Sequence, residues 1–210
     1  MAYFPFFIDL EAKPGLVVGG GRVAARKIRA LLPYGPRLTV CAPALLPELE
    51  CLPGLTLRRE PFSPALLEDV FFVIAATDDR EENRRIARLC QARSIPVNVA
   101  DPGNESTFLF PALVRRGPLS IGISTSGTSP SAAHFLKKQI EELLPADLEP
   151  ILVWMDGVRE ELKQGPLPQA QRALLLSRLF SAALQAGRPL SQAEVSPLLS
   201  DLPPETEDLS

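Results

Sequence analysis

The sequence predicts an α/β protein: a parallel sheet flanked by helices, then a small segment of strand and helix, then a helical remainder. Three observations carry this. The run Leu16-Val17-Val18 ends in Gly19-Gly20-Gly21 and passes at once into a helix-period pattern at Ala24, Ile28 and Leu31, which is the strand, tight turn and helix of a first βα unit. Two continuous apolar runs, Asp69 to Ala76 and Ile95 to Ala100, have the length and composition of strands covered on both faces. Beyond Pro145 the apolar residues keep helical spacing only.

The glycine run reads as G-x-G-x-x-A, the dinucleotide-binding pattern of a Rossmann-type sheet. Gly19 permits the sharp exit from the strand, Gly21 lets backbone N–H groups approach a pyrophosphate, and Ala24 lets the helix lie close to the sheet. Gly20, Arg22 and Val23 complete the loop, and the positive end of the helix faces the phosphates. The helix is expected to run to about Leu32, where Pro33 and Gly35-Pro36 stop it.

Taken in order, Tyr3 to Leu10 is aromatic and apolar, and is expected as an extended segment that packs on the domain as a core-covering strand. Arg37 to Ala42 has the composition of a second strand. Many NAD-binding domains carry Asp or Glu at the end of that strand for the ribose hydroxyls, whereas this chain offers Cys41-Ala42-Pro43-Ala44. Either backbone groups near Pro43 and Ala44 do that work or the nucleotide is not NAD. Leu45 to Leu52 is a short helix, and Leu55 to Arg59 alternates like an edge strand.

Thr77 and Asp78 follow the Asp69 to Ala76 run, and ligands of open parallel sheets bind beyond the carboxyl ends of strands, which places both in the cofactor cleft. Asp78 or Asp79 also suits the N-cap of the helix carrying Ile86 and Leu89. Ile95 to Ala100 delivers Asp101 to the same edge, although Asp101-Pro102-Gly103 is also ordinary turn chemistry.

From Pro118 the pattern changes, and Leu119 to Thr125 alternates apolar with small polar residues as a half-exposed strand. Ser129 is placed as N-cap and Pro130 as first residue of a helix reaching about Leu144, with Ala132, Ala133, Leu136, Ile140 and Leu143 on one stripe. One strand and one helix are too little for a core, so this piece must pack on the first domain or on a second copy. Further helices carry Ile151, Leu152, Met155 and Val158, then Ala173, Leu176, Leu179, Phe180 and Ala183, before an acidic tail from Pro203.

Composition bounds the function. With 46% hydrophobic and 22% charged residues the chain is ordinary for a soluble globular protein, and its net charge of −3 gives no general attraction to nucleic acid or anionic membrane. No apolar run approaches a bilayer span, and the stretch from Met1 to Leu10 lacks the basic region and cleavage site of a signal peptide, so a cytoplasmic location is expected. Cys41, Cys51 and Cys90, with His134 as the one imidazole, form neither a disulfide framework nor a metal-ligand spacing, so no metal site is expected.

The assembled motifs resemble those of the precorrin-2 dehydrogenases, including the N-terminal portion of siroheme synthase. The matching pieces are Phe4-Pro5-Phe6-Phe7 with Asp9-Leu10, Val17 to Ala24 with Arg26-Lys27, Ala75 to Asp79 with Asn83, and Val97 to Asp101; Phe108, Pro111-Ala112, Arg116-Gly117 and Ile123 to Pro130 follow. The resemblance covers about the first 145 residues, and the helical tail matches only in kind. Gly15 departs from it, since an apolar or β-branched residue more usually opens that strand.

What the resemblance implies is a homodimer with an NAD-binding domain at 1–112, a dimerisation segment at 113–146 and a helical domain at 147–210. The implied reaction is oxidation of precorrin-2 to sirohydrochlorin with NAD as hydride acceptor, and some members then insert ferrous iron as a second substrate. Asp101 falls on the family's active-site aspartate, a general base, and contacts at Arg22, Val23, Pro43 and Ala44 replace the acidic ribose partner. The substrate's carboxylates call for cations and hydroxyl donors, for which Arg116, Ser124 and Thr125 are expected, with Arg115 or Lys137 as lesser candidates. Two other classes fit the glycine loop: an NAD-dependent dehydrogenase for a different substrate, and a non-catalytic nucleotide-sensing module.

Overall fold

The computed structural model describes residues 3–100 and 105–203, in two compact units, residues 1–110 and 111–210. The first holds a five-stranded sheet, β1 (Pro14–Val18), β2 (Arg37–Cys41), β3 (Leu55–Arg58), β4 (Phe72–Ala75) and β5 (Val97–Val99). All neighbours are parallel and the order is β3-β2-β1-β4-β5, the arrangement of a Rossmann-type sheet. Helices α1 (Arg22–Leu31), α2 (Pro47–Glu50) and α3 (Arg80–Ala92) connect the strands.

Period-two alternation assigns each strand residue to a face. Leu16, Val18, Val73, Ala75, Val97 and Val99 pack with Ile86, Ala87 and Cys90 of α3. On the opposite face Val17, Leu38, Val40, Phe72 and Ile74 meet Ala24, Ala25, Ile28 and Leu31 of α1. Gly15 belongs to β1, and its lack of a side chain has a reason, since a Cβ there would overlap the Phe72 ring and stand 2.9 Å from Leu38 Cδ2. The fourth strand is shorter than its apolar run because Asp69 turns with φ +56 before it.

The second unit opens with an antiparallel hairpin of β6 (Ala112–Arg116) and β7 (Leu119–Ile123), followed by α4 (Pro130–Leu143), α5 (Leu148–Gln164), α6 (Gln169–Ala186) and α7 (Gln192–Ser200). Ser129 caps α4 by accepting from Ala132 N at 3.1 Å, with Pro130 at its first position. Among the described residues no helix is long and apolar enough to cross a membrane. All three cysteines are free, Cys41 and Cys90 buried and Cys51 exposed.

Three expectations are corrected. The segment from Tyr3 forms no strand: Phe4, Phe6, Phe7 and Ile8 are exposed, and only Leu10 joins the α1-side core, whose sheet face the helix already covers. On α4 the stripe is not enclosed, for Ala133 is buried while Leu136 and Leu143 are exposed, since the contacts α4 makes here are with a two-stranded hairpin. On α6 the buried face is Leu175, Leu179 and Ala183 at i, i+4 and i+8, which turns Ala173 outward.

Candidate functional site

The order of the sheet reverses between β1 and β4, so their carboxyl ends flank the crevice where open α/β sheets take ligands. Gly19 N donates to Cys41 O at 2.9 Å and Ala76 N to Val18 O at 2.7 Å, which fixes both exits. Gly19 has φ +125, and a Cβ on it would overlap the Ala76 carbonyl, so this position takes glycine for backbone and space together. Gly20 O accepts from Leu46 N at 3.0 Å, which anchors the loop to the stretch after Pro43 and Ala44.

Gly21 differs. It is the N-cap of α1 in ordinary extended backbone, φ −91 and ψ −174, and nothing lies within 4 Å of where a Cβ would stand. No side chain caps this helix, and its first turn holds no acidic residue. At α3, by contrast, Asp79 accepts from Glu81 N at 2.9 Å and from Glu82 N at 3.3 Å, with Glu81 and Glu82 in the first turn. One helix start is neutralised by its own chain, and the other is left to an outside anion. A dinucleotide's pyrophosphate fits that cradle: space without a side chain, backbone donors, and the positive end of a helix.

Around this start, Arg22, Pro43, Ala44 and Asp78 are exposed and Val23 is 40% exposed, at the ends of α1, β2 and β4 on the same edge of the sheet. Asp79 is the cap of α3, so Asp78 is released from that task. Thr77 is held from below by Asn83, a fully buried polar residue. Asn83 Oδ1 accepts from Thr77 N at 3.0 Å, Asn83 Nδ2 donates to Thr77 O at 3.0 Å, and the Thr77 hydroxyl lies 2.8 Å from Asn83 Oδ1 and 2.9 Å from Asp79 O. Asn83 thus shapes the loop after β4. Its signal in the sequence was a polar residue on the apolar stripe of an amphipathic helix.

Asp101 lies outside the described residues, but the chain on either side of it is fixed. Ala100 N donates to Ala75 O at 2.9 Å, Val99 N donates to Ser106 Oγ at 2.9 Å, and Thr107 N donates to Val97 O at 2.8 Å. Asn98, 4% exposed, donates to Phe108 O at 2.9 Å and accepts from Lys27 Nζ at 2.7 Å. Burial pushes the Lys27 ammonium down to about 8, with the neighbouring Arg26 adding to the shift.

In the second unit, Arg116 is half-buried on β6 and Ser124 is exposed. Ser124 Oγ accepts from Ser126 N at 3.1 Å. The Thr125 hydroxyl donates to Ser129 O at 3.0 Å and accepts from Ser129 N at 3.1 Å, so its proton builds the turn into α4 and is not offered outward. Among the described residues no group of three or more His, Cys, Asp or Glu gathers for a metal ion.

Residues 6–112 match a family described as putative NAD(P)-binding, and residues 116–143 match the central region of sirohaem biosynthesis proteins. The siroheme synthase of Sodalis glossinidius (strain morsitans) is 41% identical over 201 residues, covering 92% of this chain and 42% of that protein. That of Methylobacillus flagellatus is 39% identical over 187 residues, 88% of this chain and 40% of the relative. That of Escherichia coli O139:H28 is 37% identical over 183 residues, 86% and 40%. The chain spans about two fifths of the length of these curated relatives. The solved structure of SirC, precorrin-2 dehydrogenase, shares the fold with a TM-score of 0.71 at 24% identity, over 94% of this chain and 98% of that one. The glycine loop and open helix start lie inside the matched span, and the chain belongs to the putative NAD(P)-binding family, followed by the central segment of sirohaem biosynthesis proteins, which bears out its resemblance to the N-terminal portion of siroheme synthase.

Proposed function

We propose that this chain binds NAD at the glycine loop and oxidises precorrin-2 to sirohydrochlorin. The observation that carries the reading is the uncapped start of α1 behind an open Gly21, in a chain that continues directly into a sirohaem-type central segment. NAD, when bound, supplies the hydride acceptor. Backbone N–H groups of the first turn of α1 hold the pyrophosphate, Arg22, Val23, Pro43 and Ala44 border the ribose in place of an acidic partner, and Thr77 and Asp78 wall the cleft.

Hydride loss leaves a cationic tetrapyrrole that must shed a proton, and Asp101 takes it as general base. Arg116 pairs with rim carboxylates and Ser124 donates its hydroxyl to them. Thr125 supports this site through the turn it builds. Ferrous iron is a second substrate in this reading, with Asp101 receiving protons displaced from the macrocycle nitrogens. Single-turnover insertion no faster than the spontaneous rate would remove that step.

The working form is a homodimer, with the domain division 1–112, 113–146 and 147–210. Its support is the apolar surface each unit leaves uncovered: Phe4, Phe6, Phe7 and Ile8 in the first, Phe135, Leu136 and Leu143 in the second. A single-chain mass in sedimentation would overturn the dimer. Three free thiols support a cytoplasmic setting.

The test is NADH formation from precorrin-2 and NAD by wild type and Asp101→Ala. The substitution should leave NAD affinity intact and lower turnover by about 10²- to 10⁴-fold. An unchanged rate would remove Asp101 from the mechanism, and NAD binding without any tetrapyrrole turnover by wild type would point to a nucleotide-sensing module instead.

A further inference from the structure

We infer that Lys27 is a positioning residue, whose ammonium ties the glycine-loop helix to the strand end that leads to Asp101. Three contacts on the first unit carry this. Lys27 Nζ donates to Asn98 Oδ1 at 2.7 Å, and it stands 4.0 Å from the centroid of the Phe110 ring. Asn98 is buried in β5 and passes the connection on, donating to Phe108 O at 2.9 Å. The ammonium therefore joins α1, β5 and the 105–110 return, the chain immediately before and after residues 101–104.

The choice of lysine is informative because it is costly. The groups that meet the ammonium here are an amide oxygen and an aromatic face, both neutral, and burial shifts its proton equilibrium against the charged form. A methionine would fill similar volume without that cost. What methionine cannot do is bind an oxygen and a ring face at once and so hold three segments in one geometry. The helix fixed in this way is the one whose start receives the pyrophosphate, so Lys27 sets the cofactor's helix and the Asp101 strand in one frame. The general demand is that reacting groups be held within a fraction of an ångström, and a misplacement of about 1 Å can cost about 10²-fold in rate.

The kinetic arm rests on the precorrin-2 dehydrogenase reading, while the exchange arm does not. For Lys27→Met we expect NAD affinity within about threefold of wild type, kcat for precorrin-2 lowered about tenfold or more, and KM within about threefold. Lys27→Arg, which keeps the cation, should recover kcat to within about threefold of wild type. In the apo protein, amide exchange of Val99, Ala100 and Ser106 to Phe110 should quicken about tenfold in Lys27→Met while α3 is unchanged. Should Lys27→Met not fold, Lys27→Leu carries the same expectations. Wild-type kcat and wild-type exchange in the Met variant would overturn the inference, as would an equal loss in the Arg variant. If wild type itself fails to oxidise precorrin-2, the functional reading falls, and local exchange alone then decides the role of Lys27.

Discussion

Replacing Gly21 with alanine should separate ligand binding from folding, and its expected size follows from the geometry of the loop. The residue has φ −91 and ψ −174, which alanine adopts freely, and nothing lies within 4 Å of the new Cβ. The less favourable N-cap costs about 0.5–1 kcal/mol, and reduced unfolded-state entropy returns about 0.4–1 kcal/mol. The net change in stability is therefore within about 1 kcal/mol. For the cofactor the same methyl group fills the space that lets a phosphate reach the first-turn N–H groups. Losing one charge-assisted hydrogen bond of about 1.5–3 kcal/mol weakens NAD binding by about 10- to 150-fold. Gly19→Ala is the control: with φ +125 and the Ala76 carbonyl in the way it should lose about 2 kcal/mol or more of stability as well as affinity. Calorimetric or fluorescence titration with NADH gives the affinities, and urea unfolding gives the stabilities. An unaltered NADH affinity in Gly21→Ala refutes the cradle, and a stability loss equal to that of Gly19→Ala refutes the claim that the space is open.

Asn83→Leu should destabilise the first unit by about 2–4 kcal/mol, because the amide and carbonyl of Thr77 both lose their buried partner, and NADH binding should weaken with it. Urea melts showing a loss below about 0.5 kcal/mol would mean that the loop after β4 stands without Asn83. Lys27 gives a pH signature whose sign is fixed. Its folded pKa of about 8 lies below the ordinary lysine value of 10.5, so between these values the unfolded chain binds the extra proton and stability rises with pH. Discounted for partial exposure, the gain is about 1–2 kcal/mol. Burial raises Cys90 to about 11 and raises Cys41, which acts in the opposite sense above about pH 9. The measurement is therefore the wild-type minus Lys27→Met difference in unfolding free energy from pH 7 to 9, and a flat difference contradicts a buried ammonium.

The parts of the fold that were legible in the sequence are those where a local rule and the tertiary structure ask for the same residue. Leu16 to Val18, the glycines and Ala24 are read together because a buried strand, a turn at φ +125 and a close helix each restrict composition independently. Ser129-Pro130 marks its helix for the same reason. Which aspartate caps α3 was not legible, since Asp78 and Asp79 are equally good N-caps by type and only the backbone at Asp79, φ −91 and ψ 109, decides. Neither was the link from Lys27 to Asn98, 71 positions apart, because no periodicity couples a helix residue to a strand with three other strands between them in the chain. Thr125 shows the converse, a hydroxyl that composition offers to a ligand and that geometry spends on Ser129.

The misplaced apolar residues share one physical cause. Hydrophobic pattern states that a surface is to be removed from water, and says nothing about which chain removes it. For Val17 or Ile86 the two questions have one answer, since the sheet that needs covering is in the same unit. For Phe4, Phe6 and Phe7, and for Leu136 and Leu143, they do not: those side chains carry the amphipathic signature of a packed element and remain exposed in the unit that bears them. The α4 stripe shows why, because a two-stranded hairpin has one small face to offer and a fourteen-residue helix has more apolar surface than that face can cover. Residues of this kind on two separate elements are what supports the dimer proposed above, the smallest assembly of copies that would bury them.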